Sequence, residues 1–132
     1  MDENMQKTPE EMLDIRSNKV QAVLAYLGVL VLIPIFAAKD SKFARFHANQ
    51  GLVLVIFEIA IGIVTQILGV VFRTHDTLLR YTLPTYHIPF WVTSISGLFS
   101  LAVLVFAILG IVNACNGEEK ELPIIGTIKI LK

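Results

Sequence analysis

The stretch GLVLVIFEIAIGIVTQILGVVF, residues 51–72, decides the fold of this 132-residue chain. Its 22 residues carry a single charged side chain, Glu58. A helix needs about 20 mostly apolar residues to cross the roughly 30 Å hydrocarbon core of a bilayer. Residues 51–72 therefore predict a membrane-spanning helix.

Two further stretches have the same character. Residues 20–38 contain no charge, and residues 81–117 contain no Asp, Glu, Lys or Arg, with the densest apolar run at 91–112. The pattern predicts an all-α, small polytopic membrane protein with three spans at about 19–37, 48–72 and 90–113. Three regions follow: an N-terminal amphipathic segment (1–17), a membrane domain (18–113) and a polar, extended C-terminal tail (114–132).

Composition agrees with a membrane protein. The chain is 55% hydrophobic and 17% charged, against about 25% charged residues in soluble domains. The alternative is a soluble helical bundle, but helices that are apolar all round belong in lipid or in the core of a large protein. A net charge of zero gives no indication of nucleic acid, and a single cysteine, Cys115, excludes an internal disulfide framework.

The N-terminus predicts a short helix and not a secretory signal. Thr8 can cap it, Pro9 suits its first position, and Glu11 completes a capping box. We expect this helix to end near Arg16, with the first span starting separately at Lys19. Acidic residues before the first apolar stretch do not fit a signal peptide, so the first span should remain as an anchor.

Glu58 is the sharpest functional candidate, because a carboxyl inside a span is costly and marks a functional site by default. It could bind a cation, relay a proton or hold a substrate group. Alternatively it bonds one helix to another, with Tyr26, Thr65 or a serine of the third span as its partner. It lies on a stripe of mostly small or polar residues that should face protein, formed by His47, Gly51, Leu54, Glu58, Gly62, Thr65 and Gly69. Ser96 and Ser100 of the third span could pack against this stripe.

The segment 39–50 joins the first two spans and interleaves charges with aromatic rings. Ser41 or Asp40 can cap a helix that runs through Phe46 directly into the second span. One interpretation of this segment is an ordinary interfacial anchor. The other is a functional group of polar residues formed by Arg45, His47, Asn49 and Gln50. No nucleophile motif or phosphate loop occurs, so we expect no enzyme, no catalytic residue and no cofactor. The loop residues His75, Asp76 and His87 match no strong metal-site spacing, and no metal site is predicted.

Residues 38–52 read AKDSKFARFHANQGL and resemble the signature of a widespread small bacterial membrane family. That family is similar to the chloroplast inner-envelope protein-import component. Residues 19–26 and the tail from Asn113 also resemble it; Lys42 replaces the usual Pro, and Thr127 stands where Lys is common. The resemblance implies three spans in a bacterial cell membrane and a part in protein translocation.

Two functions remain open from the sequence. The first is a non-enzymatic pore or translocation component, with Glu58 in its pathway and the 45–50 cluster at its mouth. The second is a small structural or regulatory subunit of a larger membrane complex. Both imply the lipid bilayer and either further copies or other membrane proteins as partners. Three spans would put the chain ends on opposite sides, with six basic residues against five.

Overall fold

The computed structural model describes residues 7–72, 74–75 and 86–131, and this part of the chain is helical. Four α-helices follow one another: α1 (Pro9–Leu24), α2 (Leu32–Ala37), α3 (Lys42–Val71) and α4 (Phe90–Asn116). A 3-10 helix, Gly28–Val31, precedes α2 directly. Two short strands, β1 (Thr74–His75) and β2 (Tyr86–His87), pair antiparallel between α3 and α4. The fold class is therefore helical, as the apolar pattern predicts.

Helix α1 is longer than the sequence predicts. The capping box at its start is confirmed, since Thr8 accepts from the backbone of Glu11 and the Glu11 side chain returns a bond to Thr8. The predicted break after Arg16 is wrong: α1 continues to Leu24. No Gly or Pro interrupts residues 10–24, so nothing in the backbone stops the helix there. The amphipathic segment and the start of the expected first span are one helix.

The three-span prediction is not confirmed, because residues 19–37 do not form one spanning helix. Helix α1 ends at Leu24, and Leu27 (φ −97, ψ 51) and then Gly28 (φ +61, left-handed) depart from the helical conformation. Pro34 lies in the first turn of α2, where the N–H that proline lacks would have no partner within the helix. Pro34 therefore does not kink α2. The apolar piece Gly28–Ala37 is about 17 Å long, roughly half of a bilayer core.

Two helices are long and apolar enough to cross a membrane: α3 with 30 residues and α4 with 27. Ser41 caps α3, since its Oγ accepts from Ala44 N at 3.0 Å, which confirms the predicted cap. The α4 helix ends at Gly117 (φ +73), and the bonds Glu118 N to Asn113 O and Gly117 N to Ala114 O form a Schellman motif. Few residues of either apolar stretch are buried within the chain.

The chain divides into two units. The first unit comprises the chain up to Ile56 together with the chain from Leu104 onward, and the second unit is Phe57–Val103. The core of the first unit brings together α1, the start of α3, the end of α4 and the tail. Its fully buried apolar residues include Ala22, Ala25, Phe43, Ala44, Ala48 and Ala114. In the described part of the second unit, most large apolar side chains are exposed.

Candidate functional site

His47 is the centre of a buried polar cluster in the first unit, formed by Tyr26, His47, Asn49 and Gln50. Its side chain is fully buried. The rings of Tyr26, Phe43 and Phe46 stand edge-on to the imidazole, with distances between ring centroids of 5.7, 4.7 and 5.2 Å. Burial lowers the pKa of His47 to about 4, against a smaller opposing effect of the Glu118 carbonyl. The imidazole is therefore neutral at pH 7.

The hydrogen bonds of the cluster fix the His47 tautomer. Nε2 lies 3.1 Å from the carbonyl oxygen of Glu118, which only accepts, so Nε2 carries the proton. Nδ1 then accepts from the Tyr26 hydroxyl at 2.9 Å. Gln50 Oε1 lies 3.3 Å from the same hydroxyl, and Gln50 Nε2 donates to Lys120 O at 3.4 Å. Burial raises the pKa of Tyr26, so its hydroxyl keeps the proton that it donates.

Asn49 attaches the end of the tail to α3. Its Nδ2 donates to Ile128 O at 2.7 Å, and its Oδ1 accepts from the backbone N–H groups of Ile130 and Leu131 at 2.6 and 2.9 Å. One amide side chain thus satisfies three backbone groups of an extended segment. With His47 and Gln50, it binds the tail at both ends of residues 118–131.

Close backbone packing accompanies these bonds. A Cβ on Gly51 would lie 1.8 Å from the carbonyl oxygen of Ala25, so only glycine allows α3 to approach the end of α1. A Cβ on Gly110 of α4 would lie 2.2 Å from the Tyr26 ring. Gly51 was predicted to pack between spans; it packs instead on the turn after α1. Gly110 was not among the predicted packing residues, and its only sequence signal is that it is a glycine inside an apolar stretch.

Within the tail, residues 122–126 form a tight turn. Ile125 N donates to Pro123 O at 2.8 Å and Gly126 N to Leu122 O at 2.8 Å. This places Ile124 at φ +70, a conformation that β-branched residues rarely adopt. Its side chain is 85% exposed, whereas Leu122 and Ile125 are buried. The turn thus holds two apolar anchors inside the first unit and strains the residue between them.

Arg45 lies beside the polar cluster. It lines a cavity of about 320 Å³ in the first unit, and the other residues around this cavity are Lys42, Phe46, Asn49, Gln50, Glu121, Gly126, Lys129 and Leu131. The tail therefore contributes a cation that sequence reasoning did not place beside Arg45. Nothing in the sequence spacing could have indicated this, since 84 residues separate Arg45 from Lys129.

Glu58 belongs to the second unit and has a serine partner. Ser100 Oγ donates to Glu58 Oε1 at 2.9 Å, one of the alternatives considered for this carboxyl, whereas Tyr26 bonds to His47 and Gln50. Glu58 itself is exposed on the surface of the chain.

The remaining stripe residues are placed individually. Thr65 Oγ1 donates to Ile61 O at 2.7 Å, and Ser96 Oγ donates to Val92 O at 3.0 Å, both within their own helices. A Cβ on Gly69 would lie 3.0 Å from Ile88, but one on Gly62 would meet open space. The side chains of His75, Asp76 and His87 lie outside the described residues. Among the described residues, no three His, Cys, Asp or Glu side chains form a group that could hold a metal ion.

Comparison with known proteins decides the family. The model of the magnetosome magnetite crystal formation protein family matches residues 17–131. The chain belongs to this family. It is 32% identical over 109 residues to the magnetosome protein MmsF of Paramagnetospirillum magneticum, covering 83% of this chain and 82% of the relative.

Two further relatives agree. The magnetosome protein MamF of the same organism is 27% identical over 107 residues (81% of this chain, 78% of the relative). The MamF of Magnetospirillum gryphiswaldense is 27% identical over 112 residues (85% of this chain, 82% of the relative). No solved structure matches the chain.

Membership of the magnetosome family corrects three expectations. The resemblance to an import-component family is wrong, because the matching family is one of magnetite crystal formation. The pore or translocation function that this resemblance implied is therefore wrong as well. The predicted bacterial plasma membrane is wrong too, since the family and its relatives are named for the magnetosome. The shared motif 38–52 was misattributed because its residues support a fold, and a fold does not identify a function.

Proposed function

We propose that this protein is a small, non-enzymatic structural subunit of a membrane assembly that takes part in magnetite crystal formation. The observation that carries the proposal is the family match over residues 17–131. The relatives are magnetosome proteins by name and align with most of this chain.

Exposed apolar surface supports a place inside a bilayer. Helices α3 and α4 carry large apolar side chains with about half of their surface exposed, among them Ile59, Ile67, Leu98 and Leu104. In water this surface would be strongly unfavourable, whereas in lipid it is the ordinary exterior of a spanning helix. We infer that α3 and α4 span the magnetosome membrane as a hairpin.

A two-span hairpin changes the expected orientation. It returns the chain to the side where it began, and Lys7 Nζ donates to Gly117 O at 2.6 Å, which joins the two ends of the chain. Nine of the eleven basic residues then lie on that side, and only Arg73 and Arg80 lie between the spans. Under the positive-inside rule, both chain ends face the cytoplasm.

The polar motif supports a structural role. His47, Asn49 and Gln50 direct their hydrogen bonds to the chain itself, to Tyr26 and the tail. These hydrogen bonds hold α3, the turn after α1 and the tail together. This supports a subunit over an enzyme.

The exposed position of Glu58 supports contact with a partner protein within the membrane. A carboxyl exposed on an apolar helix is unfavourable against lipid, so contact with another polar group is favoured. Ser100 donates one hydrogen bond, to Oε1, and Oε2 has no hydrogen-bond partner among the described residues, so it can accept from a second protein. A further copy of this chain or another membrane protein would shield it.

A complementation experiment tests the proposed function. A Paramagnetospirillum magneticum strain lacking its MmsF gene would express this chain or Glu58→Gln, and crystal sizes would be measured by electron microscopy. We expect this chain to shift the size distribution towards that of the parent strain. Unchanged crystals, with the protein present in the magnetosome fraction, would contradict the proposal. Crosslinking of that fraction should also capture the chain in complexes larger than a monomer.

A further inference from the structure

The cavity beside Arg45, here called the basic cavity, has a composition unlike the rest of this neutral chain. Three cations, Lys42, Arg45 and Lys129, and one carboxylate, Glu121, line about 320 Å³ of space. Arg45 is half-buried, and Lys129 comes from the tail that Asn49 holds against α3. The cations are thus brought together by the fold and by the hydrogen bonds of the polar cluster.

The helix direction adds to this positive potential. Lys42 and Arg45 lie at the N-terminal end of α3, whose first turn contains no acidic residue. The Asp14 carboxylate of α1 accepts from Phe43 N there at 3.2 Å and offsets part of this potential. Cations at a helix N-terminus are repelled by the helix dipole, and anions are attracted there. Lys42 also lines a neighbouring cavity with Asp14 and Glu119, which neutralise it in part. Arg45 and Lys129 are therefore the cations that the basic cavity holds for an anion.

The position of the basic cavity along α3 indicates which layer of the bilayer surrounds it. The 30 residues of α3 measure about 45 Å, close to the thickness of a whole bilayer including headgroups. Arg45 precedes the start of the apolar stretch at Gly51 by six residues, about 9 Å of helix. This places the basic cavity at the level of lipid headgroups on the proposed cytoplasmic side. Phe46 and Leu131 add apolar surface to its wall.

We propose that the basic cavity binds the phosphate group of an anionic phospholipid. Arg45 can donate two parallel hydrogen bonds to phosphate oxygens, and Lys129 supplies a point charge from the tail. Free phosphate shares this chemistry, but the apolar wall suits the glycerol and upper acyl carbons of a lipid. The inference rests on one part of the proposed function, that α3 spans a bilayer, and not on the part in crystal formation.

A binding titration tests this inference. Short-chain phosphatidylglycerol would be titrated into the full-length protein in uncharged detergent and followed by calorimetry. We expect saturable binding to one site, weakened about tenfold or more by Arg45→Gln and by Lys129→Gln, because each removes a charged hydrogen bond. Arg45→Lys should fall between Arg45→Gln and the parent protein, since it keeps the charge and loses the paired geometry.

Lys39→Gln is the matched control. It removes the same charge nearby, but Lys39 lies over the Phe36 ring, outside the basic cavity. We expect less than a twofold change. Equal weakening by Lys39→Gln and Lys129→Gln would overturn the site in favour of general charge attraction. Lys129 is exposed on the tail, so Lys129→Gln tests the site even if Arg45→Gln fails to fold.

Two further ligands separate the sources of phosphate. Short-chain phosphatidylcholine, which has no net charge, should bind at least about tenfold more weakly than phosphatidylglycerol. Inorganic phosphate should compete only at much higher concentration, because it lacks the apolar contacts. Phosphate that binds as tightly as the lipid would overturn the lipid assignment. Neither result depends on crystal formation, so failure here and failure of the proposed function can be told apart.

Discussion

The first and second units share the same two long helices but are held by different interactions. In the first unit, side chains of α3 bond to Tyr26 and to the tail, and glycines bring backbones into contact. In the second unit, within the described residues, the side-chain hydrogen bond that joins α3 to α4 is the one from Ser100 to Glu58. The polar residues at the start of α3 therefore build one specific structure, while the apolar second unit is suited to lipid and partners.

Two glycines of α3 give the largest expected contrast. Gly51→Ala should destabilise the protein by about 3 kcal/mol or more, because the new Cβ would collide with the Ala25 carbonyl, which cannot rotate away. Gly62→Ala should leave stability unchanged or raise it by up to about 1 kcal/mol, since its Cβ meets open space and alanine favours helix. Thermal unfolding in detergent, followed by circular dichroism, measures both. Equal effects would remove the distinction between the units.

Two amides of α3 give the next contrast. Asn49→Ala should cost about 2–3 kcal/mol, because one donated and two accepted hydrogen bonds to the tail are lost. Gln66→Ala, at an exposed position of the second unit, should change stability by less than about 0.5 kcal/mol. Hydrogen exchange should accelerate at Ile130 and Leu131 in the first variant only. Protected tail amides in Asn49→Ala would show that something else holds the tail.

Acid should weaken the first unit through His47. Its pKa is lowered to about 4 in the fold from an ordinary value near 6.5, so the unfolded chain binds the proton first. The stabilisation is complete above pH 6.5 and is lost as the pH falls towards 4, by up to about 3 kcal/mol.

The control for this pH effect is His47→Gln. Glu119, whose pKa burial raises, titrates in both proteins, so its contribution cancels in the difference. Unfolding midpoints between pH 7.5 and 4.5 should converge for the two proteins as the pH falls. A constant gap between them would mean that His47 is not held neutral.

The smallest expected effect lies in the tail turn. Ile124→Gly should raise stability by up to about 1 kcal/mol, because glycine adopts φ +70 without strain. Ile128→Gly, at a position of ordinary backbone conformation, should lower it slightly through greater freedom of the unfolded chain. Denaturant midpoints of the two variants should move in opposite directions. A loss of stability in Ile124→Gly would show that its side chain, and not the turn, is what matters.

Local sequence rules predicted several elements and failed where distant segments meet. The Thr8 and Ser41 caps and the two long apolar helices follow from residue type and spacing within a few turns. The first span failed because hydropathy counts residues and does not register the backbone conformation of Gly28. A helical break inside an apolar stretch leaves the composition unchanged.

The partners of the predicted polar group could not be read from the sequence. Arg45, His47, Asn49 and Gln50 were predicted as that group, and the structure shows that His47, Asn49 and Gln50 bond to backbone atoms of residues 118–131. Those contacts span 70 or more residues of chain, so no local pattern contains them. For Glu58, in contrast, a partner was named from the sequence, because a serine of the third predicted span was among the alternatives and Ser100 donates to its carboxylate.

Site-directed labelling with a membrane-impermeant thiol reagent tests the two-span account most directly. Cys115, exposed at the end of α4, is the natural probe for the C-terminal side. Ser17→Cys and Thr77→Cys, each combined with Cys115→Ser, probe the N-terminal side and the segment between the spans. If α3 and α4 are the two spans, Cys115 and position 17 are labelled from the same side of sealed vesicles, and position 77 is labelled from the other side. Labelling of Cys115 and position 17 from opposite sides would contradict it and restore a third span.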